Sequence, residues 1–308
     1  MSTPLSVVII SFNTKNLIKR CLESVLPQLD LAHDEVWVVD NASVDGTPEM
    51  VKKEFPQIHL YESKSNRGFS YACNIGWRKS KNPFVLFTNS DIVYPDGVLA
   101  RMRERIQQDG QIGILTPMLI GENGDLVQMT WGWNISLSGE MKQKLFAPKN
   151  VMSYSLIRNM VAWLQRKEQD VDIVAGACML SRREMLDKID GFDEDFELYF
   201  EDADLCRRCW KSGYRVRFTP NIRVVHGLGQ SGKSNPAKID LIYRQSQITF
   251  YRKHYSPLKV AILKAYILLK FSLRVKFWTD PVFRFYILQI VSESRRIHLE
   301  DDLSVIPS

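Results

Sequence analysis

Short runs of β-branched and apolar residues punctuate the first 120 positions: LSVVII (5–10), EVWVVD (35–40), IHLYES (58–63), FVLFTN (84–89) and IGILTPML (112–119). Each has the length of a strand and is bounded by turn-forming residues. Between them the period changes to that of a helix. In TKNLIKRCLESVL, the residues Leu17, Ile18, Cys21, Leu22, Val25 and Leu26 recur at helical spacing, and Pro27 stops the run. GTPEMVKKEF and SYACNIGWRKS fill the next two gaps, and DGVLARMRERIQQDG follows the fourth strand and closes on a glycine. This alternation predicts parallel pairing with right-handed crossovers.

Beyond residue 120 the pattern loosens. The stretch 121–170 holds Trp131, Trp133 and a helix-like MSYSLIRNMVAWLQRK. A β-rich run, VDIVAGACMLS (171–181), precedes the acidic segment FELYFEDAD (196–204), and strand-like RVRFTP and IRVVH (215–226) follow it. EDADLCRRCWKSG reads as a helix with Leu205, Cys209 and Trp210 on one side and Gly213 as its stop. Residues 257–290 are apolar and basic together. Lys259, Lys264 and Lys270 interrupt them, so no uncharged run reaches the ~20 residues of a membrane span. Such a stretch suits helices lying in a membrane interface, or helices packed on the domain or on a second subunit.

Charge sharpens this division. Between Arg252 and Arg296 ten Lys/Arg face two acids, a segment charge of +8 in a chain of +6, which leaves −2 for the rest. The basicity therefore sits in an apolar arm, not on an aromatic-studded groove, which argues against a nucleic-acid partner. LSVVII is too short, and lacks the basic leader, to be a secretion signal, so a cytoplasmic site is expected. The five cysteines (Cys21, Cys73, Cys178, Cys206, Cys209) are an odd, scattered set that suits reduced thiols. Cys206 and Cys209 form a CxxC, but no second pair accompanies it and both fall on a predicted helix, which disfavours zinc or redox use.

Candidate chemistry gathers at the ends of the predicted strands. Ser11-Phe12-Asn13-Thr14 follows the first, Asp40-Asn41-Ala42-Ser43-Val44-Asp45-Gly46 the second, Asn66-Arg67-Gly68-Phe69 the third and Asn89-Ser90-Asp91 the fourth. Any one could be a turn or a helix cap. Four along one edge predict a crevice at the carboxyl ends of a parallel sheet, where such sheets bind ligands. No GxGxxG follows the first strand and no GxxxxGK[ST] occurs, which argues against a dinucleotide or a P-loop nucleotide. Glu201, Asp202 and Asp204 can be read as first-turn acids offsetting a helix dipole, or as a catalytic group.

Taken together, SVVIISFNTKNLIKRCLESVL, VVDNASVDGT, NRGFSYACNIG, FTNSDIVYPDG and GACMLSRREMLDKIDGFDEDFELYFEDADLCRRCWKSGYRVRFTPNIRVVH resemble family 2 inverting glycosyltransferases of the GT-A fold, over residues 5–226. The nearest pattern is that of rhamnosyltransferases of bacterial cell-surface polysaccharide, O-antigen included. The resemblance implies an α/β fold, a Rossmann-like, mostly parallel sheet flanked by helices. A GT-A domain would cover 1–240, with a donor-binding half to about 120 and an acceptor half from 121, and a helical arm 241–308. It implies a nucleoside-diphosphate sugar, dTDP-rhamnose or a UDP-linked sugar such as UDP-galactofuranose, bound by Ser11, Phe12, Asn13, Asp40, Asn66, Arg67, Gly68, Asn89 and Ser90. Arg67 would contact the base or the phosphates, and Gly68 would let the backbone approach closely. The family's metal motif is two aspartates around one residue; here Asn89 replaces the first, so Asp91 supplies the carboxylate, with His226 as a second ligand for Mg2+ or Mn2+. Asp202 would be the base and Glu201 its orienting neighbour, while Asp204 and Arg208 would pair across one helix turn. Gly176 and Ala177 would lie under the sugar and acceptor. Trp131 and Trp133 could stack on a sugar or sit in the core. The acceptor would be a lipid-linked oligosaccharide or glycan, with the basic arm held on an anionic membrane at its inner face. A silent nucleotide-sugar or glycan binder is the alternative.

Overall fold

The computed structural model describes residues 3–125, 130–132, 135, 163–227, 236–273, 278–293 and 296–299. Its centre is β1 (Leu5–Ser11), buried at every position. A strand covered on both faces needs the unbroken apolar run that LSVVII supplies. β1 runs parallel to β2 (Glu35–Asp40) on one side and to β4 (Phe84–Asn89) on the other, and β3 (His59–Glu62) extends β2 in parallel. These are the strands expected from the sequence. Helices α1 (Lys15–Val25), α2 (Thr47–Glu54) and α3 (Gly68–Lys79) make the crossovers, and α4 (Val98–Gln107) follows β4 and the two-residue β5 (Ile92–Val93).

The second half departs from simple parallel alternation. β6 (Ile112–Ile120) does not pair with β4. β10 (Cys178–Arg182) lies between them, antiparallel to both, so the sheet is mixed. The run 171–181 is not one strand either. It divides into β9 (Ile173–Val174) and β10, with Ala175–Ala177 turning between them; β9 pairs with β7 (Trp131–Gly132) in a separate ribbon. By contrast, 215–226 forms a single strand, β11 (Arg215–His226), parallel to β6. Its register slips between Thr219 and Arg223, where Pro220 has no N–H to give the ladder. The short β8 (Gln169–Asp170) and β5 pair antiparallel with β11.

Alternation along β1 divides the core. Leu5, Val7 and Ile9 pack with Ile18, Leu22, Met50, Leu99 and Met102 from α1, α2 and α4 on one face. Val8 and Ile10 pack on the other with Ala72, Cys73 and Trp77 of α3, Met185 and Leu186 of α5 (Arg183–Ile189), and Leu205, Cys206 and Cys209 of α6 (Glu201–Lys211). Trp210, expected on the buried side of α6, is 38% exposed. A third cluster joins Phe196, Phe200 and Ala203 to α7 (Pro236–His254), α8 (Pro257–Ser272) and α9 (Pro281–Ser292). α7 runs through residue 240, the expected domain boundary. Among the described residues no helix is long and apolar enough to cross a membrane. Trp133 and residues 152–162 of the helix expected over 152–167 lie outside the described residues.

Candidate active site

The carboxyl ends of β1, β2, β3, β4, β6 and β11 share one edge, and β10 starts there. Hydrogen bonds stitch the first loops together. Asn41 N–H donates to Ser11 O (2.8 Å), Asn13 N–H to Ser43 Oγ (2.7 Å) and Val44 N–H to Asn13 Oδ1 (2.8 Å). Asn13 is left-handed (φ 53°), a conformation Asn tolerates. Asp40 is buried and accepts from both the N–H and the hydroxyl of Ser43 (2.8 and 2.6 Å). Burial raises its pKa, against the lowering pull of those bonds. Each oxygen keeps lone-pair capacity for a further donor. Ser11 pairs with Thr14 (3.0 Å), and Phe12 is 41% exposed.

The next loop joins this group through Asn41 Nδ2, which donates to Gly68 O (3.0 Å), while Asn66 Oδ1 accepts from Gly68 N–H (3.1 Å). Gly68 is required for two reasons. Its φ is +88°, and a Cβ there would lie 2.3 Å from Glu197 O. Phe69 N–H donates to that same oxygen (2.9 Å), and Ser70 Oγ to Phe196 O (2.6 Å). The Asn66–Gly68 loop is thus bonded directly to the segment that leads into the acids. The Arg67 guanidinium lies 3.9 Å over the Tyr71 ring and 3.7 Å from Glu194. It lines a hollow with Asn66, Glu197, Arg296 and His298, apart from Asp40 and Asp91.

Tyr199 and Phe200 both adopt positive φ (66° and 69°), a costly conformation for bulky residues. The neighbours hold it. Phe196 and Phe200 are buried against α7, and Ser246 Oγ donates to Leu198 O (2.8 Å). The turn starts α6 with Glu201 and Asp202 in its first turn. Half-buried Asp202 accepts from Gly176 N–H at Oδ2 (3.2 Å) and from Ala203 N–H at Oδ1 (2.7 Å). Glu201 is buried, and its Oε2 has no hydrogen-bond partner. Burial raises both carboxyls, and Asp202 pushes Glu201 further, to about 8. Asp202 is the better supplied with N–H donors that stabilise its anion, from Gly176 and Ala203, whereas Glu201 has a single lowering backbone contact and an unpartnered Oε2, so Asp202 ionises first and Glu201 keeps its proton. Asp204 is fully buried, 2.6 Å from Arg208 Nε as the spacing predicts, and also 2.7 Å from His254 Nε2 on α7.

A cleft of about 280 Å³ opens on Asp202, lined by Trp131, Ile173, Ala175, Tyr199, Glu201 and Tyr243 among others. The Asn89–Asp91 loop does not line it but adjoins it. Asn89 N–H donates to Ala177 O (3.0 Å), one residue from the Gly176 that holds Asp202. Ser90, Asp91 and His226 are buried. Asp91 Oδ1 lies 3.3 Å from His226 Nε2 yet has no hydrogen-bond partner. An orphaned carboxylate oxygen beside an imidazole nitrogen fits part of the coordination sphere of a hard divalent cation. Among the described residues no three His, Cys, Asp or Glu side chains surround a common point.

Sequence reasoning missed Tyr199 and Tyr243 in the cleft, Ser43 on Asp40, and His254 on Asp204. Ser43 stood in a loop already singled out, and an Asp-x-x-Ser spacing after a strand is a signal for such a turn. Nothing local marks Tyr243 or His254, which lie some forty to fifty residues along the chain from their partners.

The family model "Glycosyl transferase family 2" matches residues 6–190, and "Glycosyl transferase family group 2" matches 148–259. An N-acetylglucosaminyl-diphospho-decaprenol L-rhamnosyltransferase of Mycobacterium tuberculosis is 25% identical over 279 residues, 82% of this chain and 90% of the relative. Among solved structures, the mannosyltransferase PcManGT of Pyrobaculum calidifontis, in complex with GDP-Man and Mn2+, superposes with a TM-score of 0.57 at 17% identity, over 95% of this chain and 87% of that one. S. aureus TarS 1–349 in complex with UDP-GlcNAc gives 0.56 at 18%, over 94% and 80%. These neighbours are GT-A glycosyltransferases, and the fold is theirs.

Proposed function

Because the chain belongs to glycosyl transferase family 2 and is a glycosyltransferase, we propose that it moves L-rhamnose from dTDP-rhamnose onto a lipid-linked or glycan acceptor at the inner face of a membrane, in cell-surface polysaccharide synthesis. The observation that carries the mechanism is Asp202, held by the Gly176 and Ala203 N–H groups at an aromatic-lined cleft. The acceptor enters that cleft. Its hydroxyl proton passes to the Asp202 carboxylate as the oxygen attacks the anomeric carbon. The bond from that carbon to the diphosphate breaks, the electron pair leaves with the nucleoside diphosphate, and the configuration inverts. Protonated Glu201 adds no second negative charge beside the base. Trp131, Gly176 and Ala177 frame the sugar and acceptor.

The pyrimidine base lies among Ser11, Phe12, Asn13 and Asp40, where the buried carboxylate accepts its N3–H. Asn66, Gly68, Asn89 and Ser90 line the ribose and diphosphate, and Arg67 would have to leave Glu194 to reach a phosphate. Asp91 and His226 would hold a Mg2+ or Mn2+ ion, which when bound neutralises charge building on the departing diphosphate. A UDP-linked sugar such as UDP-galactofuranose is the alternative donor, since both pyrimidines offer the same N3–H. The rhamnosyl reading is supported by the name of the mycobacterial relative, which also specifies a diphospho-decaprenol-linked acceptor.

Asp202→Asn tests the mechanism. Turnover should fall by about 10²–10⁴-fold, with donor affinity, titrated calorimetrically with and without Mn2+, within about twofold of wild type. The product's anomeric configuration, read by proton NMR, should be opposite to the donor's. Unchanged turnover in the variant would remove Asp202 from its role; donor binding without transfer in wild type would favour the silent binder.

A further inference from the structure

The C-terminal helices are apolar on two opposite sides. Leu263, Ile267 and Phe271 of α8 are buried against α7 and α9. Away from them, Leu258, Ile262, Leu269 and Leu273 are 71%, 45%, 61% and 78% exposed, and Ala265 between them is exposed too. At 3.6 residues per turn these five positions fall within an arc of about 80°, a continuous stripe about 22 Å long. On α9, Phe285 and Leu288 are 50% and 47% exposed, and Trp278 just before that helix is 64% exposed. A soluble surface carries scattered apolar residues but seldom a continuous stripe such as that on α8.

We propose that this stripe of α8 is the surface by which the enzyme sits on an anionic phospholipid bilayer. Charge identifies the occupant. The segment from Arg252 to Arg296 carries +8 in a chain otherwise slightly acidic. Lys259 and Lys270 lie about 80–100° around α8 from the axis of the stripe, where long side chains can reach headgroups while the leucines enter the acyl boundary. Trp278 is the residue type enriched at that depth. α8 is not a free amphipathic helix. Its inner face is spent on the fold, and the outer one remains for lipid. The same bundle packs on the catalytic turn through Phe196 and Phe200, so lipid docking on α8 would set the cleft near the membrane surface. This rests on the membrane-side reading of the acceptor, but the binding can be measured without it.

The test is co-sedimentation of the full chain with phosphatidylcholine vesicles, with and without one quarter phosphatidylglycerol. Binding should require the anionic lipid and fall at least about tenfold between 50 mM and 500 mM salt. Leu269→Asp/Leu273→Asp should cut partitioning at least about tenfold, with thermal stability and transfer to a detergent-free, water-soluble acceptor unchanged. Lys259→Glu/Lys270→Glu should weaken binding to anionic vesicles and abolish most of its salt dependence, a second check should the leucine variant misfold. Equal binding by wild type and both variants would overturn the proposal. So would sedimentation velocity showing a dimer that the leucine variant converts to monomer, because a second copy then covers the face. Vesicle binding as described in a chain that transfers no sugar would sink the enzymatic reading and leave this one standing.

Discussion

Gly68 makes the coupling between the donor side and the acids measurable. Replacing it by alanine places a methyl group 2.3 Å from Glu197 O, 2.7 Å from its Cα and 2.8 Å from its carbonyl carbon. All three are backbone atoms and cannot rotate away. The residue must also keep φ near +88°, which costs an L-residue about 1–2 kcal/mol. Separating the two segments lengthens the 2.9 Å bond from Phe69 N–H to Glu197 O, worth about 1 kcal/mol. Gly68→Ala should therefore cost about 2–4 kcal/mol and lower Tm by roughly 3–8 °C for a domain of this size, by differential scanning calorimetry. Gly97→Ala is the internal control. Its φ is +74° but nothing lies within 4 Å of the added carbon, so it bears the conformational cost alone. In Gly68→Ala, Glu197 is pushed five residues ahead of Asp202, so kcat should fall by more than donor affinity does. If the two alanine variants melt within about 1 °C of each other with equal turnover, the crowding argument is wrong, and with it the claim that the two loops form one unit.

Two further outcomes follow from the acidic helix. Glu201 has its pKa raised by burial and by Asp202, from 4.5 to about 8, so the folded state holds that proton more tightly than the unfolded chain. Its contribution to stability is complete below pH about 4.5 and is lost as pH rises through about 8; Glu201→Gln should thus gain Tm relative to wild type steadily across that window, and a pH-independent difference would contradict the assignment. Asp204→Ala removes a fully buried carboxylate from Arg208 Nε at 2.6 Å, His254 Nε2 at 2.7 Å and Lys253 Nζ at 3.6 Å. Urea denaturation should register a loss of about 3 kcal/mol, the low end for breaking a buried pair because Arg208 and Lys253 keep solvent contact; a loss below about 1 kcal/mol would mean the cluster does not hold α6 to α7.

The sequence was most readable where structure is local. β1 to β4 and the helices between them follow from continuous apolar runs and helical periodicity, because both faces of the central strands are covered. Placement of β10 was not readable. The run 171–181 has the composition of one strand, and only tertiary pairing decides that it breaks at Ala175–Ala177 and inserts its second part antiparallel between β4 and β6. The acids illustrate the same limit within the site. Their spacing marks a helix start and a catalytic motif equally well, and the aromatic run before them reads as core. The structure gives that run a definite task. Tyr199 and Phe200 must take left-handed conformations that no sequence rule assigns to aromatics, and Phe196 and Phe200 hold the turn by burying their rings against α7 while backbone carbonyls at 196 to 198 accept from Ser70, Phe69 and Ser246. Apolar anchorage thus offsets the backbone strain, and the strain in turn sets Asp202 at the first turn of α6, facing the cleft and the Gly176 N–H. Carboxylates beside aromatics are costly when buried without donors. Here the cost falls on Glu201, which keeps its proton, and the two N–H groups are reserved for the residue that must lose its own.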